Sequence, residues 1–523
     1  MKLRSLWRAA AAVILVLMIA ASAAAQEKVD LQALQRIRKE GLENSKISEL
    51  LVYLCDVYGP RLAESPQYRQ AGEWTVGRLK EMGFAATMEP YGTYGRGWEL
   101  QKFYAAMTAP RYMPLIAYPK AWTPGTNGVI KGNPILIDVK NSADLEKYKG
   151  KLKDAIVLMQ GEQPLEISFE PAASRLTDDE LKKLFLAPEP GARPAGAFRM
   201  EEFMARQQLQ QAVTKFLKSE GAAVCLEPSR GQDGTVFVQS GGSQNPKAEA
   251  ALPAVVVSVE QYNRIVRILQ KNIPVTLEIE VQARFTEDDL QGYNIVAEFP
   301  GTDKKLKDEL VMLGGHFDSW HAGTGATDNA AGCAVAMEAL RILKAAGLQP
   351  RRTIRLALWD AEEQGFIGSR GYVTLHFFDR GKKEKKPEYD RLSAYFNFDN
   401  GSGRIRGIYA QGNNAVVPIF EQWLAPVRDL GAGTVTIRNT GGTDHLPFDA
   451  VGLPGFQFIQ DELEYDTLTH HSNMDVYDHL SRGDLMQAAT VMAWFVYNAS
   501  VRDEKLPRKY FDLNAAAPTR GRS

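Results

Sequence analysis

The chain has seven histidines, at positions 316, 321, 376, 445, 470, 471 and 479, so any imidazole chemistry belongs to its last 208 residues. Within that stretch one device recurs: a short apolar run ends, and carboxylates or imidazoles follow. Val311–Leu313 precedes His316 and Asp318; TIRLALW (353–359) precedes Glu362 and Glu363; LSAYFNF precedes Asp399; and a less regular LPGFQFI region precedes His470 and His471. Polar groups at the ends of successive parallel strands converge over one edge of a sheet, however far apart they lie in the chain. Two imidazoles and three carboxylates are enough protein ligands for a pair of zinc ions with positions left for water. One carboxylate has to be shared, because five side chains cannot each serve a separate metal and still fill both coordination spheres. Taken singly, each polar strand end has a bland reading as a local cap; the ordered set is what argues for a common site.

The stretch VMLGGHFDSWHAGTGATDNAAGCA, from Val311 to Ala334, organises the others. Val311–Leu313 reads as a buried strand, His316 and Asp318 fall at a turn, and a Gly-rich loop follows. Asp328-Asn329 then opens a helical pattern that Gly347 stops. Upstream, residues 27–58 carry helical periodicity, and Ser65-Pro66 starts another helix, a cap followed by proline at the first helical position. FAATMEPY reads as a strand, residues 95–130 give no clear period, and a last helix is expected from Asp484 to Tyr497.

Residues 1–25 read as a secretory signal peptide: Lys2, Arg4 and Arg8 precede the apolar run Ala9–Ala21, and Ala23-Ala24-Ala25 offers a cleavage site. An apolar run of about 13 residues is short of the roughly 20 that span a bilayer, so no stable membrane anchor is expected and the chain is read as exported, periplasmic or secreted. Removing those three basic residues takes the formal charge from -1 to -4, which offers nucleic acid nothing. Cys55, Cys225 and Cys333 are widely spaced and read as small buried hydrophobes, not as a disulfide framework. Between Asn127 and Phe285, short strands (ILIDV, AIVLM, AVVVSV, VTLEIEVQARF) alternate with helices without any histidine, as a module with its own core. Lacking motif carboxylates as well, this module is expected to be dispensable for the chemical step.

The sequence resembles the co-catalytic zinc exopeptidases of the Aeromonas-aminopeptidase type. The resemblance is carried by His316-Phe-Asp318, Gly325-Ala326-Thr327-Asp328-Asn329, Ala361-Glu362-Glu363, Asn397-Phe398-Asp399 and His471-Ser-Asn-Met-Asp475, in matching order and spacing. GGHFDSW, the Trp-x-Ala-Glu-Glu-Gln-Gly run and the His-His pair also resemble the carboxypeptidase Q branch, with His321 standing where that branch often has Asp. The resemblance implies an α/β fold, a mixed central sheet flanked by helices, interrupted by a protease-associated domain. The expected division is 1–25 signal peptide, 26–126 first part of the peptidase domain, 127–285 inserted domain, 286–501 metal-binding part and 502–523 flexible tail.

It further implies two zinc ions per chain. Asp328 bridges them through a cis peptide to Asn329, Glu363 and His471 complete one metal, and His316 and Asp399 complete the other. Glu362 is then the general base, and Asp318 holds the far nitrogen of His316. His445, His470 and Tyr465 are weaker candidates for substrate contact, each with an ordinary packing role as its alternative. The implied activity is hydrolysis of the peptide bond beside a free amino terminus, on short peptides. Dipeptidase or carboxypeptidase Q-like activity is the alternative; a glutaminyl cyclase, commonly with one zinc, and a non-catalytic binding module are further rivals. A homodimer is compatible with the sequence.

Overall fold

The computed structural model describes residues 27–186 and 200–512. The segment read as a signal peptide lies outside them, and among the described residues no helix is long and apolar enough to cross a membrane. The fold is mixed α/β, built on an eight-stranded sheet. Its strands in chain order are β1 (Ala85–Thr93), β2 (Gln291–Phe299), β3 (Leu310–His316), β4 (Thr353–Trp359), β5 (Leu392–Asn397), β6 (Ile405–Tyr409), β7 (Thr434–Thr436) and β8 (Gly455–Gln460). They lie side by side as β1-β2-β4-β3-β5-β8-β6-β7. The central four, β4, β3, β5 and β8, are mutually parallel, while β2 and β6 run against them on either flank.

Parallel strands covered on both faces read as continuous apolar runs, and these do. Val311 and Leu313 of β3 face one core, with the helices Ala331–Ala345, Arg482–Val501 and Leu31–Leu42; Leu310 and Met312 face the other, with the helix Ile367–His376. Ser65 caps the helix Pro66–Glu81 by accepting a hydrogen bond from the Tyr68 N–H, as its Ser-Pro start signals. The last helix runs from Arg482 to Val501, longer at both ends than its periodicity indicated.

Two further sheets make the inserted module. Ala117–Pro119, Ala254–Val257, Val224–Pro228, Ile156–Leu158 and Ile135–Leu136 form five strands, parallel but for the first. A four-stranded antiparallel sheet pairs Gly97–Ala109 with Thr276–Thr286 along almost their whole lengths. The two share one apolar core, in which Met107, Leu158, Val255 and Leu277 pack together. Residues 97–109 therefore belong with the module, and its core begins well before position 127. Their partner strand lies about 170 residues downstream in the sequence, which is why 95–130 look irregular alone.

The segment from Arg502 was expected to fray, yet its first residues dock. Leu506 is buried, Arg502 binds Glu27, and Arg508 donates to the Tyr389 and Leu392 carbonyls. One apolar side chain and two guanidinium anchors are enough to order the start of the tail.

His376 lies between Glu89 and Glu388 at the rim of the sheet, away from the other histidines. Burial lowers its pKa, but Glu388 and Glu89 more than offset that and raise it from 6.5 to about 9. A raised histidine stabilises the fold fully below its ordinary value and loses that contribution as pH rises through about 9. The stability gap between wild type and His376→Gln should be roughly 1–3 kcal/mol at pH 6 and shrink by pH 10, as read by denaturant titration.

Candidate active site

The parallel strands deliver their following residues to one edge. His316 ends β3, Glu362 and Glu363 follow β4, Asp399 follows β5, and β8 leads through an irregular loop to His470 and His471. These strands are adjacent in the sheet, so residues up to 155 apart in sequence meet. Asp328 comes from the loop between β3 and the helix Ala331–Ala345. Its peptide bond to Asn329 is cis, as the resemblance implies. Gly332 lets that helix approach the sheet, since a Cβ there would lie 2.2 Å from the Phe398 carbonyl oxygen.

Asp328 is the centre of the cluster. Its Oδ1 is 3.1 Å from His316 Nε2, and its Oδ2 is 3.2 Å from His471 Nε2. His316 Nε2 also lies 3.4 Å from Asp399 Oδ1, while His471 Nε2 lies 2.8 Å from Glu363 Oε2. The five residues thus fall into two triads that share Asp328. His470 is farther from it, 3.9 Å, and stacks on Tyr465; of the pair, His471 is the one aimed into the cluster. Asp328, Glu363 and Asp399 each keep a buried oxygen without a hydrogen-bond partner. Burying acceptor-only groups this way is costly unless a cation serves them. His316, Asp328 and Asp399, and Asp328, His470 and His471, each offer ligand atoms within 4.8 Å of one another. The donor set, two imidazoles and carboxylates, suits divalent zinc.

Electrostatics agree. Burial pushes the Glu363 carboxyl up to about 8, with Asp328 adding to the rise and His471 opposing it. Burial lowers the His471 imidazole, but Glu363 and Asp328 overcome this and raise it to about 10. Protein alone therefore places protons where divalent cations would satisfy the same anions.

Glu362 stands beside the triads, and burial, then Asp399 and Asp444, hold its carboxyl well above the ordinary range against the opposing pull of His316. Asp318 differs in detail from its expected role. Its main-chain carbonyl, 3.0 Å away, partners His316 Nδ1, with its carboxylate 3.6 Å off. The carboxylate accepts from the Glu362 and Glu363 N–H groups instead, fixing the turn that carries the acidic pair.

His445 is fully buried, its Nε2 held by Gln411 and the Thr440 carbonyl, and burial lowers it to about 4. Tyr465 borders a cavity of about 420 Å³ together with Asn400, Tyr409, Phe458, Gln460 and Leu184.

Several residues outside the two triads position the site, and Arg61 among them carries no motif signal. Arg61, fully buried, donates to the carbonyls of Leu54, Phe317, Thr324 and Gly325 and so braces the loop behind His316 and Asp328. Asp475 accepts from Thr327 N–H and hydroxyl, tying the His471 loop to the Asp328 loop. Trp320 Nε1 donates to Glu363 Oε2 at 2.6 Å. His321 meets the Pro119 carbonyl of the inserted module at 2.6 Å, and burial lowers it to about 4, so it serves as a neutral donor. The module thus touches the loop that follows His316 and Asp318.

Residues 294–496 match the model of peptidase family M28. This stretch, less than half of the chain, holds every residue of both triads. Carboxypeptidase Q from Pongo abelii is 30% identical over 257 residues, covering 49% of this chain and 52% of the relative. The chain spans about half the length of the curated carboxypeptidase Q relatives it matches. Among solved structures, a peptidase M28 precursor from Shewanella amazonensis aligns with a TM-score of 0.64 at 23% identity, covering 92% of this chain and 99% of that one. A zinc aminopeptidase from Bacillus subtilis aligns at 0.55 and 16%, covering 88% and 98%. These two share the fold.

If cations hold the anionic cluster together, stripping them should loosen it. Treating the purified protein with chelator should lower its Tm by several degrees, and adding zinc should restore it. A Tm indifferent to both treatments would mean that the buried carboxylates are satisfied by protons alone.

Proposed function

We propose that the chain is a zinc-dependent exopeptidase that removes the first residue of short peptides, with two zinc ions bridged by Asp328. The observation that carries this reading is the division of one carboxylate between two imidazoles, Oδ1 toward His316 and Oδ2 toward His471, with Asp399 and Glu363 completing opposite sides. His316, Asp399 and Asp328 would hold one ion, and His471, Glu363 and Asp328 the other. Zinc bound there acidifies a water and polarises the carbonyl of the scissile bond.

The chain's own residues do the rest. Glu362, in the cluster but in neither triad, takes the proton of the attacking water, and its raised affinity for a proton suits it to hold that proton and pass it to the leaving amine. The Asp318 carboxylate accepts from the Glu362 N–H and so fixes the turn from which the base projects. Choice of terminus follows from charge. The crowding of Asp318, Asp328, Glu362, Glu363 and Asp399 at the site supports an α-ammonium over an α-carboxylate as the terminus recognised. The cavity beside Asn400 and Tyr465 supplies room for a side chain. Likeness to carboxypeptidase Q favours a second reading, cleavage of dipeptides or from the carboxyl end.

One panel separates them: a free dipeptide, its N-acetylated form, its C-amidated form and a tetrapeptide, with products identified. N-acetylation should abolish cleavage while C-amidation leaves it largely intact; the reverse pattern means a carboxypeptidase. Glu362→Gln should keep its metal and its stability while turnover falls roughly 10²–10⁴-fold. Loss of metal in that variant would assign Glu362 as a ligand instead.

A further inference from the structure

The four ligand segments are not held alike. His316 and Asp399 sit at the ends of central strands, and their surroundings belong to the sheet: His316 Nδ1 meets the Asp318 carbonyl, and the Asp399 carbonyl accepts from Gln457 of β8 at 2.5 Å. His471 has no such frame. It stands about eleven residues past the end of β8, in left-handed backbone at φ 65°, a conformation that costs a residue with a Cβ roughly 1 kcal/mol or more and needs outside support.

That support comes from the inserted module. Val238 N–H donates to the His471 carbonyl at 3.1 Å, Asn473 N–H donates to the Val236 carbonyl at 3.1 Å, and Val236 N–H donates to Asn473 Oδ1 at 2.6 Å. Phe237 and Ser472 form an antiparallel bridge between these pairs. A four-residue stretch of the module therefore runs against the metal-site loop as a short strand. At its end, the side-chain amide of Gln239 lies 2.9 Å from His471 Nδ1. The other ligand of that triad leans on the module as well. Trp320, the donor to Glu363, packs edge-on against Trp122 of the module and against His471, each at 6.1 Å between ring centres.

We infer that the inserted module is a working part of one metal half-site, and that Gln239 is a positioning residue that sets the ring of His471. This inference rests on the zinc reading above. His471 Nε2 points at Asp328 and Glu363, so Nε2 is the nitrogen free to ligate and Nδ1 must carry the proton. A protonated Nδ1 needs an acceptor, and the Gln239 amide, turned to present Oε1, is that acceptor; the two ends of an amide have the same shape. Such an outer partner fixes the tautomer and orientation of a ligating imidazole, and its loss typically weakens metal binding 10–100-fold. The half-site of His316 and Asp399 makes no such use of the module, so the two ions should respond differently.

The test compares wild type, Gln239→Leu and Gln239→Glu by zinc competition against a chromophoric chelator, with His471→Ala marking the ion on the His471 side. In Gln239→Leu that ion should bind about 10–100-fold more weakly while the other is unchanged. Gln239→Glu, which keeps an acceptor, should stay within a few-fold of wild type. The three metal-free proteins should unfold at the same temperature, which separates positioning from general destabilisation. Equal zinc affinities in Gln239→Leu and wild type, or equal weakening of both ions, would overturn the inference. Uptake of a single ion by wild type would strike the two-ion reading instead, and the ratio measured for that ion in Gln239→Leu would still decide the role of Gln239.

Discussion

The constraint on which this structure turns is the burial of Asp328 among other carboxylates. An isolated buried anion is expensive, and here Asp318, Glu362, Glu363 and Asp399 are gathered around it with little access to water. Proximity of this kind survives only if positive charge enters the cluster. Two imidazoles supply part of it, one at each oxygen of Asp328, and the division into two triads is the shape that two bridged cations require. The proposed catalytic use rests on the same arrangement, which leaves the buried Glu362 carboxyl beside the two triads.

Holding Asp328 at that centre engages much of the surrounding fold. Central strands that run parallel bring His316, Glu363 and Asp399 to one edge, with the Gly332 helix packed close behind. Arg61 is buried without a carboxylate hydrogen bond, its guanidinium divided among four carbonyls of the segments behind the site. An ionised side chain in such a place is costly to desolvate; its hydrogen bonds to carbonyls are charge-assisted, and they lock two loops together. Asp475 adds the cross-link from the Asp328 loop to the His471 loop. One triad is thereby framed by the sheet and the other by the sheet and the inserted module together.

The legible parts of this arrangement were those with local signals. Apolar runs ending in His316, Glu362, Glu363 and Asp399 announce strand ends, and parallel strand ends converge by a general rule, so the cluster could be read before any coordinates. What escaped was set by contacts between distant segments. Gln239 and His471 are 232 residues apart, and nothing in a surface glutamine marks it as a partner. Gly97–Ala109 becomes a strand because Thr276–Thr286 lies beside it. His445 is read as a candidate for substrate contact and is fully buried, and burial is not written in a motif. Asp318 lies behind His316, and which of its oxygens meets the imidazole depends on turn geometry that residue types do not specify.

The central claim, that Asp328 is shared between two cations, is tested most directly by diffraction from crystals of the chelator-free protein at the zinc absorption edge. The account predicts two anomalous peaks, one bounded by His316, Asp399 and Asp328 and the other by His471, Glu363 and Asp328, with one Asp328 oxygen toward each. A single peak, or peaks that do not share Asp328, would contradict it.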